Sequence, residues 1–250
     1  MKNITIIIPA YNELDNYNKG SLLEVADYLK KKALNWPVIV IDDGSTDGSN
    51  KVIKKWVESQ PNWQFIQNQH QGKSATVKTG VFIAKTKYVL FTDFDQATPI
   101  SEIEKLLPFL KKNYQIVIGS REVQGSLRQK EPWYRHLMGK VFNLVVQLFT
   151  IRGIHDTQCG FKLFNTKIAQ ELFNSLKVYQ PKSNEEKHSF TGAFDVELLF
   201  IAIKKKHKIT EVPVRWTYES STRVNPVRDS IRMFLDVIKI RLADIFGAYQ

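Results

Sequence analysis

Short apolar runs punctuate the first half of the chain: ITIII at 4–8, VIVI at 38–41, YVLF at 88–91 and IVI at 116–118. They are continuous rather than alternating, as strands covered on both faces are. Longer segments between them repeat apolar residues at helical spacing. The pattern predicts strands over Ile4–Pro9, Val38–Asp42, Trp63–Gln67, Tyr88–Asp93 and Gln115–Gly119, and helices over 16–34, 47–59, 73–85 and 100–112. Alternation of this kind builds βαβ units, so the expected fold class is α/β, with a mostly parallel sheet and helices on both faces.

The pattern changes after residue 120. Residues 121–135 are polar and basic, and 136–151 reads as an amphipathic or buried helix. CGFKLFN predicts a strand, 165–174 a helix, 177–191 a loop, 194–206 a helix, ITEVPVRW a strand, and 226–246 a long final helix. No Gly/Pro/Ser-rich linker divides the chain. It reads as one domain over 1–250, with a first half (1–120) built on strand ends and a second half (121–250) ending in helices.

Composition narrows the class. The 250 residues, 43% hydrophobic and 24% charged, suit one large domain. A single cysteine, Cys159, excludes an internal disulfide and a multi-cysteine zinc site. The first residues do not read as a signal peptide. The longest apolar-rich stretch, KVFNLVVQLFTI, falls short of the roughly 20 residues that span a bilayer. A net charge of +11 points to a polyanionic partner: nucleic acid, anionic lipid or a phosphorylated substrate. No helix-turn-helix or RNP-type pattern supports nucleic acid.

Acidic clusters follow three predicted strands: PAYNE, DDGSTDG and TDFDQ. Ligands of open parallel sheets bind at that rim. In DDGSTDG, Ser45 and Asp47 read as turn and cap residues. An EF-hand reading fails because Lys54 stands where a glutamate is needed. GKSAT lacks the first P-loop glycine, with Gln67 in its place. In TDFD, Asp93 and Asp95 have the Asp-x-Asp form that holds Mg²⁺ or Mn²⁺ against a nucleotide diphosphate.

The ordered set IIIPAYNE, VIDDGSTDGS, GKSATVKTG, FTDFDQATP, IVIGSR and DTQCGFKLF resembles glycosyltransferase family 2, of the GT-A fold. With FDVELL and EVPVRW it is most similar to the polyprenyl-phosphate sugar synthases, in particular the dolichyl-phosphate β-glucosyltransferase branch. Apart from the resemblance, Gly72 reads as a point of close backbone approach and Lys73 as a residue near phosphate; the resemblance implies that Pro9, Ala10, Tyr11 and Glu13 line the nucleoside and that Asp42 and Asp43 contact base or ribose. It puts Asp93 and Asp95 at the diphosphate and metal, Phe94 and Gln96 beside the donor sugar, and Arg223 on the donor diphosphate. Arg121 and Arg135 would meet the acceptor phosphate. Two departures, Ser74 in the Gly-Lys-Gly motif and Phe94–Gln96 around Asp95, bear on sugar identity more than on reaction type.

The implied reaction moves a sugar, glucose from UDP-glucose by the nearest branch, to polyprenyl or dolichyl phosphate with inversion. GDP-mannose and UDP-N-acetylglucosamine stay open as donors. An ionised phosphate nucleophile needs positioning and charge neutralisation rather than a strong base. A saccharide hydroxyl acceptor would need one, and Asp195 or Glu197 are the candidates; acids at a helix N-terminus are also favourable without any catalytic role. A lipid acceptor implies peripheral attachment to the cytoplasmic face of a membrane, through 136–151 or the final helix, which would equally suit a homo-oligomer.

Overall fold

The computed structural model describes residues 3–180, 192–219 and 226–249. Its centre is a seven-stranded sheet in the order β3-β2-β1-β4-β7-β5-β8. The strands are β1 (Ile4–Ala10), β2 (Val38–Asp42), β3 (Trp63–Gln67), β4 (Tyr88–Thr92), β5 (Ile116–Ser120), β7 (Phe161–Asn165) and β8 (Ile209–Pro213). All pairings are parallel except those of β7, which runs antiparallel between β4 and β5.

Every residue of β1 is buried. Its alternate side chains feed two cores, as the period of two requires. Ile7 joins Ile41, Phe91 and Phe194 on one face, while Ile6 and Ile8 join Val40, Leu22 and Ile103 on the other. Helices α3 (Ser49–Glu58), α4 (Lys73–Ile83), α5 (Ile103–Lys111), α7 (Thr166–Ser175) and α8 (Phe194–Lys204) cover these faces. From β1 the chain works outward to β3, then crosses back to place β4 on β1's other side. That reversal opens a crevice at the carboxyl ends of β1 and β4.

Three predicted elements are revised. The helix expected over 16–34 is two, α1 (Leu14–Asn18) and α2 (Ser21–Lys31), because Gly20 between them takes a left-handed φ of 87°. ITEVPVRW is likewise divided. Val214 donates its N–H to Ser120 O and accepts from Leu127 N, which hands the chain from β8 to β9 (Arg215–Thr217). β9 pairs with β6 (Leu127–Gln129), a strand hidden in the polar stretch expected to be irregular. The loop expected over 177–191 lies largely outside the described residues.

The long helices α6 (Trp133–Phe149) and α9 (Pro226–Ile245) pack together, with Phe149 edge-on to Phe234 at 6.3 Å. Only Val146 of α6 is fully buried. Leu137, Val141, Leu144 and Leu148, all more than half exposed, form one stripe at i, i+4, i+7 and i+11. Ile231, Leu235, Leu242 and Ile245 of α9 are exposed as well.

Candidate active site

β4 ends at Thr92, so Asp93 and Asp95 stand in the turn beyond it rather than on one strand face. Gln96, with φ of 51°, closes that turn by donating from its backbone and side-chain nitrogens to Asp93 O. Asp95 accepts from Ala97 N at 3.0 Å. Burial, with the charges of Asp93 and Glu13 nearby, pushes the Asp95 carboxyl up to about 6. Lys73, the first residue of α4, ion-pairs with Asp93. Burial works against its charge, but Asp93, Asp195 and Asp95 outweigh that and hold it protonated. Asp93 is also fixed from β7's side. A Cβ built on Gly160 would lie 1.9 Å from Asp93 Oδ2, so only glycine leaves room for this carboxylate.

The loops after β1, β2 and β3 are stitched beside this turn. Asp43 accepts from Gln71 N at 3.0 Å, from Gly72 N at 2.9 Å and from His70 Nδ1 at 2.8 Å. His70 stacks on Tyr11 with centroids 4.2 Å apart and an interplanar angle of 11°. The Asp43 carbonyl also faces Nδ1, so that nitrogen carries a proton, and in the corresponding neutral tautomer Nε2 is an acceptor. Asp42 accepts from Gly44 N and Ser45 N at 3.1 Å each. Its second oxygen and His70 Nε2 are buried with no hydrogen-bond partner among the described residues. Two orphan acceptors at one rim suit a ligand that brings N–H or O–H donors. Ser45 and Asp47 serve the loops as read from sequence: Asn12 N donates to Ser45 Oγ, and Ser49 N and Leu14 N to Asp47.

A cavity of about 350 Å³ is lined by Asp93 and Asp95 and, from α6 and α9, by Met138, Phe142 and Met233 together with Asn143, Asp229 and Ser230. Arg121, Arg128 and Arg135 line it. Arg121 is engaged in a bidentate pair with Asp156, at 2.8 and 2.9 Å, and stacks at 5.1 Å on Trp216. Arg128 is held by Glu122 and Glu131. Arg135 differs. It donates to Tyr218 Oη at 2.7 Å, lies 5.0 Å over that ring, and has no carboxylate partner among the described residues.

Several expected site residues stand elsewhere. Pro9 and Ala10 are buried within β1, where the Ala10 carbonyl accepts from Asp43 N; they position Tyr11 rather than line a cleft. Phe94 packs into the core with Leu90 and Ile100. Asp195 is 2% exposed and ion-paired at 2.7 Å with Lys162, whose Nζ also donates to Cys159 O. Glu197, fully buried, accepts from the backbone N–H groups of Lys177, Val178 and Tyr179 and from Tyr249 Oη. Neither acid is open to act as a base on an acceptor. Arg223 lies outside the described residues. Gly160, Lys162, Asp156, His70 and Tyr218 were not anticipated from sequence. A lysine inside the apolar run CGFKLF was the one visible sign, since a charge there requires a buried partner.

A family model described as Glycosyl transferase family 2 matches residues 5–173. The chain belongs to glycosyltransferase family 2. It is 34% identical over 262 residues to a dolichyl-phosphate beta-glucosyltransferase of Dictyostelium discoideum, covering 99% of this chain and 76% of the relative. The Homo sapiens protein of the same description is 31% identical, with 100% and 78% covered. Among solved structures, mannosyl-3-phosphoglycerate synthase from Rubrobacter xylanophilus superposes with a TM-score of 0.66 at 19% identity, covering 100% of this chain and 76% of that one. A mannosyltransferase from Pyrobaculum calidifontis, in complex with GDP-Man and Mn²⁺, gives 0.61 at 17%, covering 95% and 64%. These likenesses establish the GT-A-like α/β fold. In this family 2 transferase, no cluster of three or more His, Cys, Asp or Glu side chains fit to hold a metal occurs among the described residues.

Proposed function

We propose that this glycosyltransferase moves glucose from UDP-glucose to dolichyl phosphate or a closely related polyprenyl phosphate, with inversion. Relatives so named, at about a third identity over nearly the whole chain, support the sugar and the lipid. The observation that carries the acceptor reading is the cavity itself. Its lining brings together the Asp93–Asp95 turn, Arg135, which has no acidic partner among the described residues, and Met138, Phe142 and Met233 beside the polar Asn143, Asp229 and Ser230 of α6 and α9. A phosphate headed by a sugar donor and trailed by a hydrocarbon chain suits a cavity lined by carboxylates, an available arginine and apolar side chains.

The donor set fits a hard divalent cation. Asp93 and Asp95 share one turn, where burial and then the charge of Asp93 raise the Asp95 carboxyl, and Mg²⁺ or Mn²⁺ commonly takes one or two carboxylates, with substrate phosphates filling its other positions. Held by Asp93 and Asp95, such an ion would neutralise the leaving diphosphate. The protein's own residues do the rest. The Tyr11–His70 stack and the buried acceptors of Asp42 and His70 receive the nucleoside, and Arg135 holds the acceptor phosphate in line with the anomeric carbon. Because a phosphomonoester is already largely ionised near neutral pH, with a second pKa of about 6, no base is required. That agrees with the sealed surroundings of Asp195 and Glu197.

Attachment to a membrane is peripheral in this reading. No helix among the described residues is long and apolar enough to cross a bilayer. The exposed leucine stripe of α6 and the exposed apolar positions of α9 would rest in the interface, on the cytoplasmic face. The test is transfer of labelled glucose into the organic phase, with Arg135→Ala as the diagnostic variant. Loss of lipid labelling with UDP binding retained supports the reading; equal labelling by wild type and variant refutes the role of Arg135.

A further inference from the structure

The Asp93–Lys73 pair has a second consequence. Lys73 is 20% exposed and Asp93 37%, so their ion pair lies at the wall of the crevice rather than inside the core. The other buried lysine in this region, Lys162, is 1% exposed and committed to Asp195 and to the Cys159 carbonyl. Lys162 therefore cannot move without leaving a buried charge unpaired. Lys73 can move. It starts α4 on a long, flexible stem, and its present partner is the carboxylate that a cation also needs.

Charge accounting shows why the exchange is favourable. Glu13, Asp93 and Asp95 bring three negative charges, and Lys73 returns one. A divalent ion taking Asp93 offsets most of the carboxylate charge and frees the lysine to pair with the phosphate oxygens of an incoming nucleoside diphosphate. From this pairing we infer that Lys73 is a displaceable internal counterion. It holds Asp93 while the donor site is empty, and yields it to the metal when a nucleoside diphosphate arrives to take the ammonium. Metal and nucleotide would then bind synergistically, each weakly alone. Lys73 is thus a positioning residue for the donor diphosphate. This inference rests on the donor-site reading above.

The experiment measures Mn²⁺ binding, read from the electron paramagnetic resonance signal of free Mn²⁺, with and without UDP. It compares chelator-stripped wild type with Lys73→Met, Lys73→Arg and Asp95→Asn, each checked for a cooperative thermal transition. Lys73→Met should bind Mn²⁺ alone about fivefold or more tighter than wild type, and UDP should strengthen its Mn²⁺ binding by correspondingly less. Lys73→Arg, which keeps the counterion, should resemble wild type without nucleotide, and Asp95→Asn should lose the metal in both conditions. Wild type showing UDP-dependent Mn²⁺ binding, with Lys73→Met no tighter without UDP, overturns the counterion role and leaves the donor site standing. Wild type that binds UDP but no Mn²⁺ overturns both this inference and the metal part of the proposed function.

Discussion

Asp93 is held by neighbours from two elements. Lys73 pairs with it from α4, and the bare Cα of Gly160 leaves it room from β7's side. No left-handed φ explains that glycine, so steric closeness alone explains it. Gly160→Ala should therefore act on Asp93 more than on the fold. Misplacing a group at the reaction centre by about 1 Å can cost about 10²-fold in rate. The expected result is a fall in kcat of that order with a stability loss within about 1–3 kcal/mol, measured by steady-state transfer and urea melts. The Asp-x-Asp pair was visible in the sequence because its spacing is local. Gly160, which lies more than sixty positions later in the chain, was not legible as its neighbour. Only the antiparallel insertion of β7 beside β4 brings it there.

The Arg121–Asp156 pair provides a pH test at the same scale. Burial alone would raise the Asp156 carboxyl, but the Arg121 guanidinium outweighs burial and holds it below the usual carboxylate range. A depressed folded pKa contributes stability above the unfolded value of about 3.9, and that contribution is lost as pH falls through the folded value. Asp156→Asn leaves the Arg121 charge without its counterion and should cost about 3–5 kcal/mol at pH 7. The gap between wild type and variant should close below about pH 4, in urea melts taken across pH.

At the level of elements, both N-terminal acids of α8 are tied into the fold. They were read from sequence as possible bases because helix position alone does not reveal what meets them. Asp195 meets Lys162 of β7, and Glu197 meets three consecutive backbone N–H groups. Asp195→Asn should lower stability by about 3–5 kcal/mol, since it strands a buried ammonium. Combining it with Lys162→Met should restore part of that loss, a coupling that a double-mutant cycle measures directly. A base role would instead show as lost activity in a protein of unchanged stability. The strands of the first half were legible because continuous apolar runs admit few alternatives. The divided 16–34 helix and the divided ITEVPVRW strand were not. A glycine at φ of 87° and a strand that changes sheets are settled by tertiary contacts.

For the whole molecule, α6 and α9 serve both the site and the outer surface. Residues of α6 and α9 line the cavity that includes the carboxylate turn, and a separate stripe of α6 is apolar and exposed, on a chain of net charge +11. The sequence carried the amphipathic pattern of both helices. It could not say which face was outward, since the same periodicity serves a core helix. Replacing Leu144 and Leu148 with aspartate should reduce co-sedimentation with anionic vesicles while leaving UDP binding in solution intact. Unchanged co-sedimentation would remove these helices from the membrane contact.

The most direct measurement is transfer of label from UDP-[¹⁴C]glucose to dolichyl phosphate by the purified protein with Mg²⁺ or Mn²⁺, run beside labelled GDP-mannose and UDP-N-acetylglucosamine. The account predicts lipid-linked glucose from UDP-glucose alone, abolished by chelation and by Asp95→Asn. Label from a different donor would contradict the assigned sugar. No lipid label from any donor, in protein that still binds UDP, would contradict the phosphate acceptor.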